Sequence, residues 1–504
     1  MSESAQYALV VLAGSLAGLA AVLSSRLSER IRVPTPLLML VGAAVVANVV
    51  PGFAIPDVVT VEHVVTLALV LILFDGGMHI GWRRFRSAGI PIGVVGVAGT
   101  FLTAGAGAVF LHTAFGLDWY LAVLVATAVA PTDPAVVFAV LGRREIKGRS
   151  STILEGESGA NDPVGIALLA SLLAAGGLSW VAAGQVGVTF ALQMVIGLAV
   201  GLVGGSALLW FIRHVPLPNE ALYPLRTVFC ALALYGAGTV AHGSGFLAVF
   251  VAGILIGDAG APYKREIERF HSALATFGEI VAFLVLGLTV DLDVLARLDV
   301  WVPGLLLGVV LTVVIRPVFA GLCLLPARLR RNEMAFVLFA GLKGAVPILL
   351  GELLRAAQVP EAERLYGIVV VVVVFSVLVQ GSLVPAAARL LRLPTRELEP
   401  EPWALGVRLR AEPSGVHRLR VGATSPADGS TVAELADLIE ERVDDDSGDN
   451  GGIWVSMVVR DRVLVGVRDD TRLAAGDEVV VLAESALHTA LKSAFDSPNA
   501  RSGA

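Results

Sequence analysis

Thirteen mostly apolar stretches divide the first 393 residues, and each approaches the roughly 20 residues needed to cross about 30 Å of hydrocarbon. That repetition leaves few folds open. In lipid, every backbone N–H and C=O must be satisfied inside the chain, so stretches of this kind become helices. They fall at about 6–24, 34–51, 62–80, 88–113, 119–141, 151–175, 182–212, 221–241, 245–259, 268–290, 301–324, 333–356 and 364–390, the ninth being short.

The loops between them alternate in charge. One set carries Arg26, Arg30 and Arg32; Arg83, Arg84 and Arg86; Arg143, Arg144, Lys147 and Arg149; Arg213 and Arg226; Lys264, Arg265 and Arg269; Arg328, Arg330 and Arg331; and Arg389, Arg392 and Arg396. The opposite set carries Arg297, Arg355 and Arg364. Basic residues concentrate on the cytoplasmic side, so the alternation predicts an outside N-terminus and a cytoplasmic C-terminus. MSESAQ is not a basic leader, which predicts a retained first helix. The whole chain is 56% hydrophobic and 16% charged, too few charges for the surface of a soluble protein of 504 residues. Cys230 and Cys323 both fall in apolar spans and read as small core residues, with no disulfide framework or metal motif.

The character changes near residue 394. RELEPEP reads as a linker over 394–403. Alternating segments such as HRLRVG, IWVSMVV and DEVVVLAE then read as strands, and TVAELADLIEERV as an amphipathic helix. The expected fold class is an all-α polytopic membrane protein over 1–393, with inverted repeats and two broken crossing helices. A small α+β cytoplasmic domain follows over 404–485, then a C-terminal helix and tail over 486–504.

An ionisable group at mid-bilayer costs at least about 2.5–3.5 kcal/mol, so each one needs a reason. Asp75, Asp133, Glu157, Asp162, Glu279, Arg316, Lys343 and Glu352 all fall in spans. Pro131 and Pro134 bracket Thr132 and Asp133, and each removes a backbone donor. Gly341, Gly344 and Pro347 surround Lys343 in the twelfth stretch. Two interrupted helices in corresponding positions of two halves point to a transporter binding site. Glu157 and Asn161 share a helix face, four residues apart, while Asp162 lies about 100° round. A lone buried carboxyl stays neutral unless a cation, a cationic side chain or water joins it. Glu157 calls for a fixed partner, and Arg316 is the natural one because it keeps its charge. Asp162 has no obvious permanent partner, so it is available to a proton or a hard cation, with Ser158, Thr132 and free carbonyls as further oxygen donors. Asp75 either joins that site or is a solvated helix-end charge. Glu279 reads as a packing or funnel residue, and Lys343 as electrostatic scaffold or pH-response element.

APTDPAVV at 130–137, EGESGANDP at 155–163, Arg316 in VIRP and GLKGAVPI at 341–348 together resemble the monovalent cation:proton antiporter-1 family. Lys343 stands where that family commonly has Arg. The resemblance implies that Asn161 and Asp162 are the Asn-Asp pair, that Thr132, Asp133 and Ser158 coordinate the ion, and that Glu157 and Arg316 are a structural ion pair. It also implies thirteen helices, a homodimer, a moving six-helix core and electroneutral exchange. The closer likeness is to the potassium/proton antiporter branch called cell volume regulation protein A, in which Pro follows Asn-Asp. Residues 404–485 look like the RCK C-terminal module, with TRLAAGDEVVVLAE its most recognisable piece. In some relatives that module binds a nucleotide, so a small nucleotide is the implied class of regulator. No glycine-rich dinucleotide fingerprint precedes it.

The implied mechanism is competition of K⁺ or Na⁺ with H⁺ for Asp162, in a membrane-lipid setting with no tightly bound cofactor and no nucleic-acid polymer as partner. Sodium as the main substrate is one alternative. A tail-gated channel is another, although no filter-like carbonyl ring or charge-lined pore is evident. An enzyme would need a nucleophile–base or metal-ligand constellation, and the histidines fall mostly at span ends without paired spacing.

Overall fold

The computed structural model describes residues 12, 14–23, 35–50, 56–134, 137, 144–146, 149–393, 395–397, 416–440, 453–461, 463–483 and 487–496. Most of the linker read over 394–403 lies outside the described residues, as does part of the first apolar stretch. The chain divides into two compact units, residues 1–400 and 401–504.

The first unit is helical. After an apolar helix at Gly14–Leu23 come α1 (Thr35–Val49), α2 (Val58–Gly93), α3 (Thr100–Phe115) and α4 (Trp119–Ala128). They are followed by α5 (Arg149–Ala175), α6 (Trp180–His214), α7 (Leu222–Val240), α8 (Gly245–Gly257) and α9 (Lys264–Leu288). The set closes with α10 (Leu298–Val310), α11 (Arg316–Leu324), α12 (Arg331–Phe339), α13 (Ala345–Ala356), α14 (Ala362–Phe375) and α15 (Ser382–Leu390). Short π-helical turns join α2 to α3, α10 to α11 and α14 to α15.

Among the described residues, six helical runs are long and apolar enough to cross a membrane. Thirteen separate stretches do not become thirteen uninterrupted helices. The stretches at 62–80 and 88–113 form one helical run over Val58–Phe115. It turns at Gly81, whose φ of 65° lies in the left-handed region. The Asp258 carboxylate sits against Gly81, where a Cβ would meet it at 2.8 Å, and accepts the Arg83 N–H. A positive-φ glycine and a carboxylate cap together restart the helix. The fifth and twelfth stretches are each interrupted, as described below.

Small residues set the helix spacing. Gly197, Gly201 and Gly205 form one stripe on α6, and a Cβ at each would strike Ser244, Ala248 or Ala252 at 2.5–2.9 Å. Close backbone approach of this kind replaces the hydrophobic drive that lipid cannot supply. Leu192, Val195, Val203, Phe229, Val313 and Leu322 are exposed, giving an apolar outer surface suited to lipid. The buried core includes Leu124, Ile153, Leu169, Phe283, Leu307, Ile348 and Val369. Strand β1 (Arg144–Ile146) pairs antiparallel with β2 (Thr395–Glu397), just beyond α15.

The second unit holds a four-stranded antiparallel sheet of β3 (Val416–Arg420), β4 (Trp454–Arg460), β5 (Val463–Val465) and β6 (Glu478–Leu482), in the order β3-β6-β4-β5. A bulge falls between Val455 and Met457. Helices α16 (Val432–Glu440) and α17 (His488–Phe495) add Leu435, Ile439, Leu491 and Phe495 to a core with Val455, Val458, Val479 and Val481.

Candidate functional site

Two helix breaks meet in the first unit. Helix α4 stops at Ala128, and Pro131 and Pro134 bring no N–H to continue it. Helix α12 stops at Phe339 and α13 begins at Ala345. The two irregular segments cross: the Asp133 N–H donates to Leu342 O at 2.8 Å. The Lys343 ammonium donates to Ala130 O at 2.8 Å and Pro131 O at 3.0 Å, carbonyls that the first break leaves free. Gly344 allows this approach, because a Cβ there would overlap the Asp133 carboxyl group.

The second break has its own polar support. The Lys343 N–H donates to Ser376 Oγ at 3.0 Å, and Ser376 Oγ donates to Gln380 Oε1 at 3.0 Å. Gln380 Nε2 donates to Phe339 O, the last residue of α12, and Thr312 Oγ1 donates to Gln380 Oε1 at 3.1 Å. The sequence reading passed over Gln380, Ser376 and Thr312. An amide within the apolar run VVVVVVFSVLVQGS was the available signal, since a buried polar group must find a partner.

Helix α5 lies against both breaks. Asn161 binds Thr132 twice: its amide Nδ2 donates to Thr132 Oγ1 at 2.8 Å, and its Oδ1 accepts the Thr132 N–H at 3.3 Å. Asp162 is only 7% exposed, and its Oδ1 has no hydrogen-bond partner among the described residues. Ser158 is buried one turn away on the same helix. A buried acceptor oxygen without a donor among the described residues, on the helix that also carries Ser158 and the Thr132-bound Asn161, is chemistry that fits a proton or a hard monovalent cation.

Glu157 faces elsewhere. Arg316 donates to both of its oxygens, at 2.7 and 3.0 Å, and gives two further N–H groups to Leu338 O and Val337 O. This ties α5 to α11 and α12. Gly341 leaves the room that the guanidinium occupies. Glu352 is fully buried and is paired with Arg355 on its own helix at 2.9 Å.

Among the described residues, Asp75 makes no hydrogen bond to Asp162 or Thr132. It accepts from Ser272 Oγ at 3.1 Å and lies 3.3 Å from His79 Nδ1. Glu279, on α9, has an Oε1 that is buried and has no hydrogen-bond partner among the described residues. His271, fully buried on α9, shares a 2.7 Å hydrogen bond with Thr227.

Known proteins share this architecture. The family described as "Sodium/hydrogen exchanger, transmembrane" matches residues 17–390. The K(+)/H(+) antiporter NhaP of Alkalimonas amylolytica is 33% identical over 382 residues, 74% of this chain and 65% of that protein. The chain thus spans just under two thirds of that relative. The K(+)/H(+) antiporter NhaP2 of Shewanella oneidensis is 31% identical over 491 residues, 96% of this chain and 83% of that protein. The Na(+)/H(+) antiporter NhaH of Halobacillus aidingensis is 30% identical over 338 residues, covering 63% and 80%. The sodium proton antiporter MjNhaP1 of Methanocaldococcus jannaschii, solved at pH 8, superposes with a TM-score of 0.64 at 20% identity, covering 74% of this chain and 99% of that one, so the fold is shared. Both helix breaks, Asp162 and the Glu157–Arg316 pair fall within the matched residues, and the chain belongs to the sodium/hydrogen exchanger family, a family of secondary transporters and not of enzymes.

Proposed function

We propose that this chain is a secondary antiporter that exchanges K⁺ for H⁺ across the membrane, with the two ions competing for Asp162. The observation that carries this reading is the buried Asp162 Oδ1, left without a donor among the described residues where two broken helices cross. A deprotonated Asp162 takes the cation, helped by Thr132, Ser158 and Asp133; a protonated one takes none. Asn161 holds Thr132 in place, and Lys343 stabilises the opposed carbonyl ends. Both loaded forms carry similar charge, so either can cross while the bare carboxylate crosses poorly. Alternating access then moves the bundle with the two breaks against the other helices. Potassium is the favoured cation because the relatives that cover most of the chain carry K(+)/H(+) names. Sodium is the second reading, from the Halobacillus relative named for Na(+)/H(+) exchange.

The C-terminal domain is read as cytoplasmic, which the alternation of basic loops supports. There it acts as an RCK-like regulatory module of a homodimer, responsive to a small nucleotide. Trp454 and its cross-strand partner Leu482, both exposed on the sheet, support self-association. The test is proton movement in vesicles titrated separately with K⁺ and Na⁺. Asp162→Asn should insert normally and lose cation-driven proton flux. A well-folded Asp162→Asn protein that exchanges normally defeats the reading.

A further inference from the structure

Helix α12 ends inside the protein at the second break, and a buried helix end must place its last four carbonyls. All four have donors. Phe336 O accepts the Ala340 N–H at 2.7 Å. Val337 O and Leu338 O accept from Arg316 at 3.2 and 2.9 Å. The last, Phe339 O, accepts from Gln380 Nε2. Gln380 lies 41 residues further along the chain, in the π-helical turn Ser376–Gly381 that joins α14 to α15. The end of α12 is therefore capped from another helix.

That cap fixes the rest of the amide. A carbonyl only accepts, so the Gln380 nitrogen must face Phe339 O and its Oε1 must face away. There Oε1 takes the Ser376 hydroxyl at 3.0 Å and the Thr312 hydroxyl at 3.1 Å. Ser376 has one hydroxyl proton. Giving it to Gln380 turns an acceptor lone pair toward the Lys343 N–H, 3.0 Å away. Lys343 in turn donates to Ala130 O and Pro131 O of the first break, next to Thr132. The bonds thus run from the end of α12 through Gln380, Ser376 and Lys343 to the proposed ion site. A small cavity borders Thr103, Thr312, Lys343, Ser376 and Gln380, so hydrogen bonds and not tight packing hold the amide on that side. Thr312 and Gln380 both lie in π-helical turns, which are frequent at functional sites.

We infer that Gln380 is a positioning residue for exchange: it sets the second break so that Lys343 meets the free carbonyls of the first. This rests on the reading of Asp162 as the exchange site. Gln380 acts on the cation only through Ser376 and Lys343, so its loss weakens cation binding and leaves the exchange carboxyl in place.

Cation-driven proton flux in vesicles would be titrated with K⁺ at several pH values, each variant against wild type at the same pH. Gln380→Met keeps the length and removes both the donor and the acceptor. It should raise KM for K⁺ severalfold with the maximal rate changed much less, the pattern of weakened binding. Gln380→Glu keeps the shape, and its carboxyl can donate to Phe339 O only when protonated. It should lie closer to wild type than Gln380→Met at the acid end of the range, and approach Gln380→Met wherever the carboxyl loses its proton. A residue needed only for packing would not give this pH-dependent rescue. Should Gln380→Met fail to accumulate, Ser376→Ala carries the test, since it cuts the same series of bonds at the next link and should raise KM likewise. A wild-type KM in Gln380→Met, or in Ser376→Ala where that stands in, overturns the inference. So does Gln380→Glu as impaired as Gln380→Met at the acid end.

A second measurement does not depend on Asp162. Hydrogen exchange of the backbone amides over 341–344 should quicken in Gln380→Met, because the Lys343 N–H loses an oriented acceptor. Asp162→Asn is assayed alongside. If it still exchanges ions, the exchange-site reading fails, and the amides over 341–344 still decide whether Gln380 holds the break. If it is silent while those amides keep their wild-type protection in Gln380→Met, only the positioning role of Gln380 fails.

Discussion

Asn161 grips Thr132 through both ends of its amide, donating to the hydroxyl at 2.8 Å and accepting the backbone N–H at 3.3 Å. The residue beside the proposed exchange carboxyl is therefore committed to the helix break. Its neighbour Asp162 keeps an oxygen without a donor among the described residues. One helix thus presents a clamp and a binding group at adjacent positions.

Removing the clamp should loosen the site without removing its charge. Asn161→Ala loses two hydrogen bonds, each worth about 0.5–1.5 kcal/mol. The expected result is a severalfold higher KM for the cation with exchange retained, together with a lower melting temperature in detergent. A wild-type KM in the vesicle assay would show that Thr132 does not depend on Asn161.

Lys343 should tolerate a donor and not a hydrophobe. Lys343→Met strips the donor from Ala130 O and Pro131 O, and hydrogen bonds from charged groups contribute about 1.5–3 kcal/mol each. Exchange and stability should both fall sharply. Lys343→Arg can still reach two carbonyls and should keep most activity. Equal loss in both variants would mean that Lys343 acts through its shape or its own titration, not as a donor to the break.

Glu157 and Arg316 should behave as one unit. Breaking a buried pair from one side costs about 3–5 kcal/mol, because an uncompensated charge remains. Glu157→Gln and Arg316→Met should each lower thermal stability, and the double variant should lose less than the sum. Additive losses in thermal melts would contradict the 2.7 Å contact.

The second unit carries an acid-sensitive contact. Burial pushes the Asp477 carboxyl up, but hydrogen bonds from Arg460 and from the Ala474 N–H outweigh it and hold the group below its ordinary value of 3.8. A depressed folded value stabilises the fold above the unfolded value, and that contribution is lost as pH falls through the folded one. The protection of β4 and β6 amides against hydrogen exchange, relative to their intrinsic rates at each pH, should therefore fall below about pH 4 in the full chain. Asp477→Asn should raise the exchange rate at neutral pH and flatten this acid dependence. The same steep acid response in the variant would assign it to other groups.

Cutting the chain near Pro400, which lies outside the described residues, removes the second unit and leaves both breaks intact. The shortened protein should still exchange ions, with a shifted apparent cation affinity or pH profile. An inserted but silent protein would make the second unit part of the transport machinery, and an unchanged profile under every nucleotide tried would end the case for sensing.

The membrane class was legible in the sequence because hydrocarbon imposes it locally: apolar length, basic loops and backbone self-satisfaction are properties of short segments. The two breaks were legible for the same reason, since Pro131, Pro134 and Pro347 act on their own turns. Even the oddity of Asp75, Asp162, Glu279 and Arg316 could be read residue by residue. Which of these groups meet could not. Glu157 and Arg316 are 159 positions apart, and Lys343 and Ala130 are 213 apart. Helical periodicity fixes the face a side chain occupies but not the helix that covers that face. Packing gave Asp75 to Ser272, Thr132 to Asn161 and the free carbonyls of the first break to Lys343. Gln380 gained its place only when Phe339, Thr312 and Ser376 came together around it. Helix neighbours are chosen by close packing across the whole bundle, so contacts between distant segments appear only in the tertiary structure.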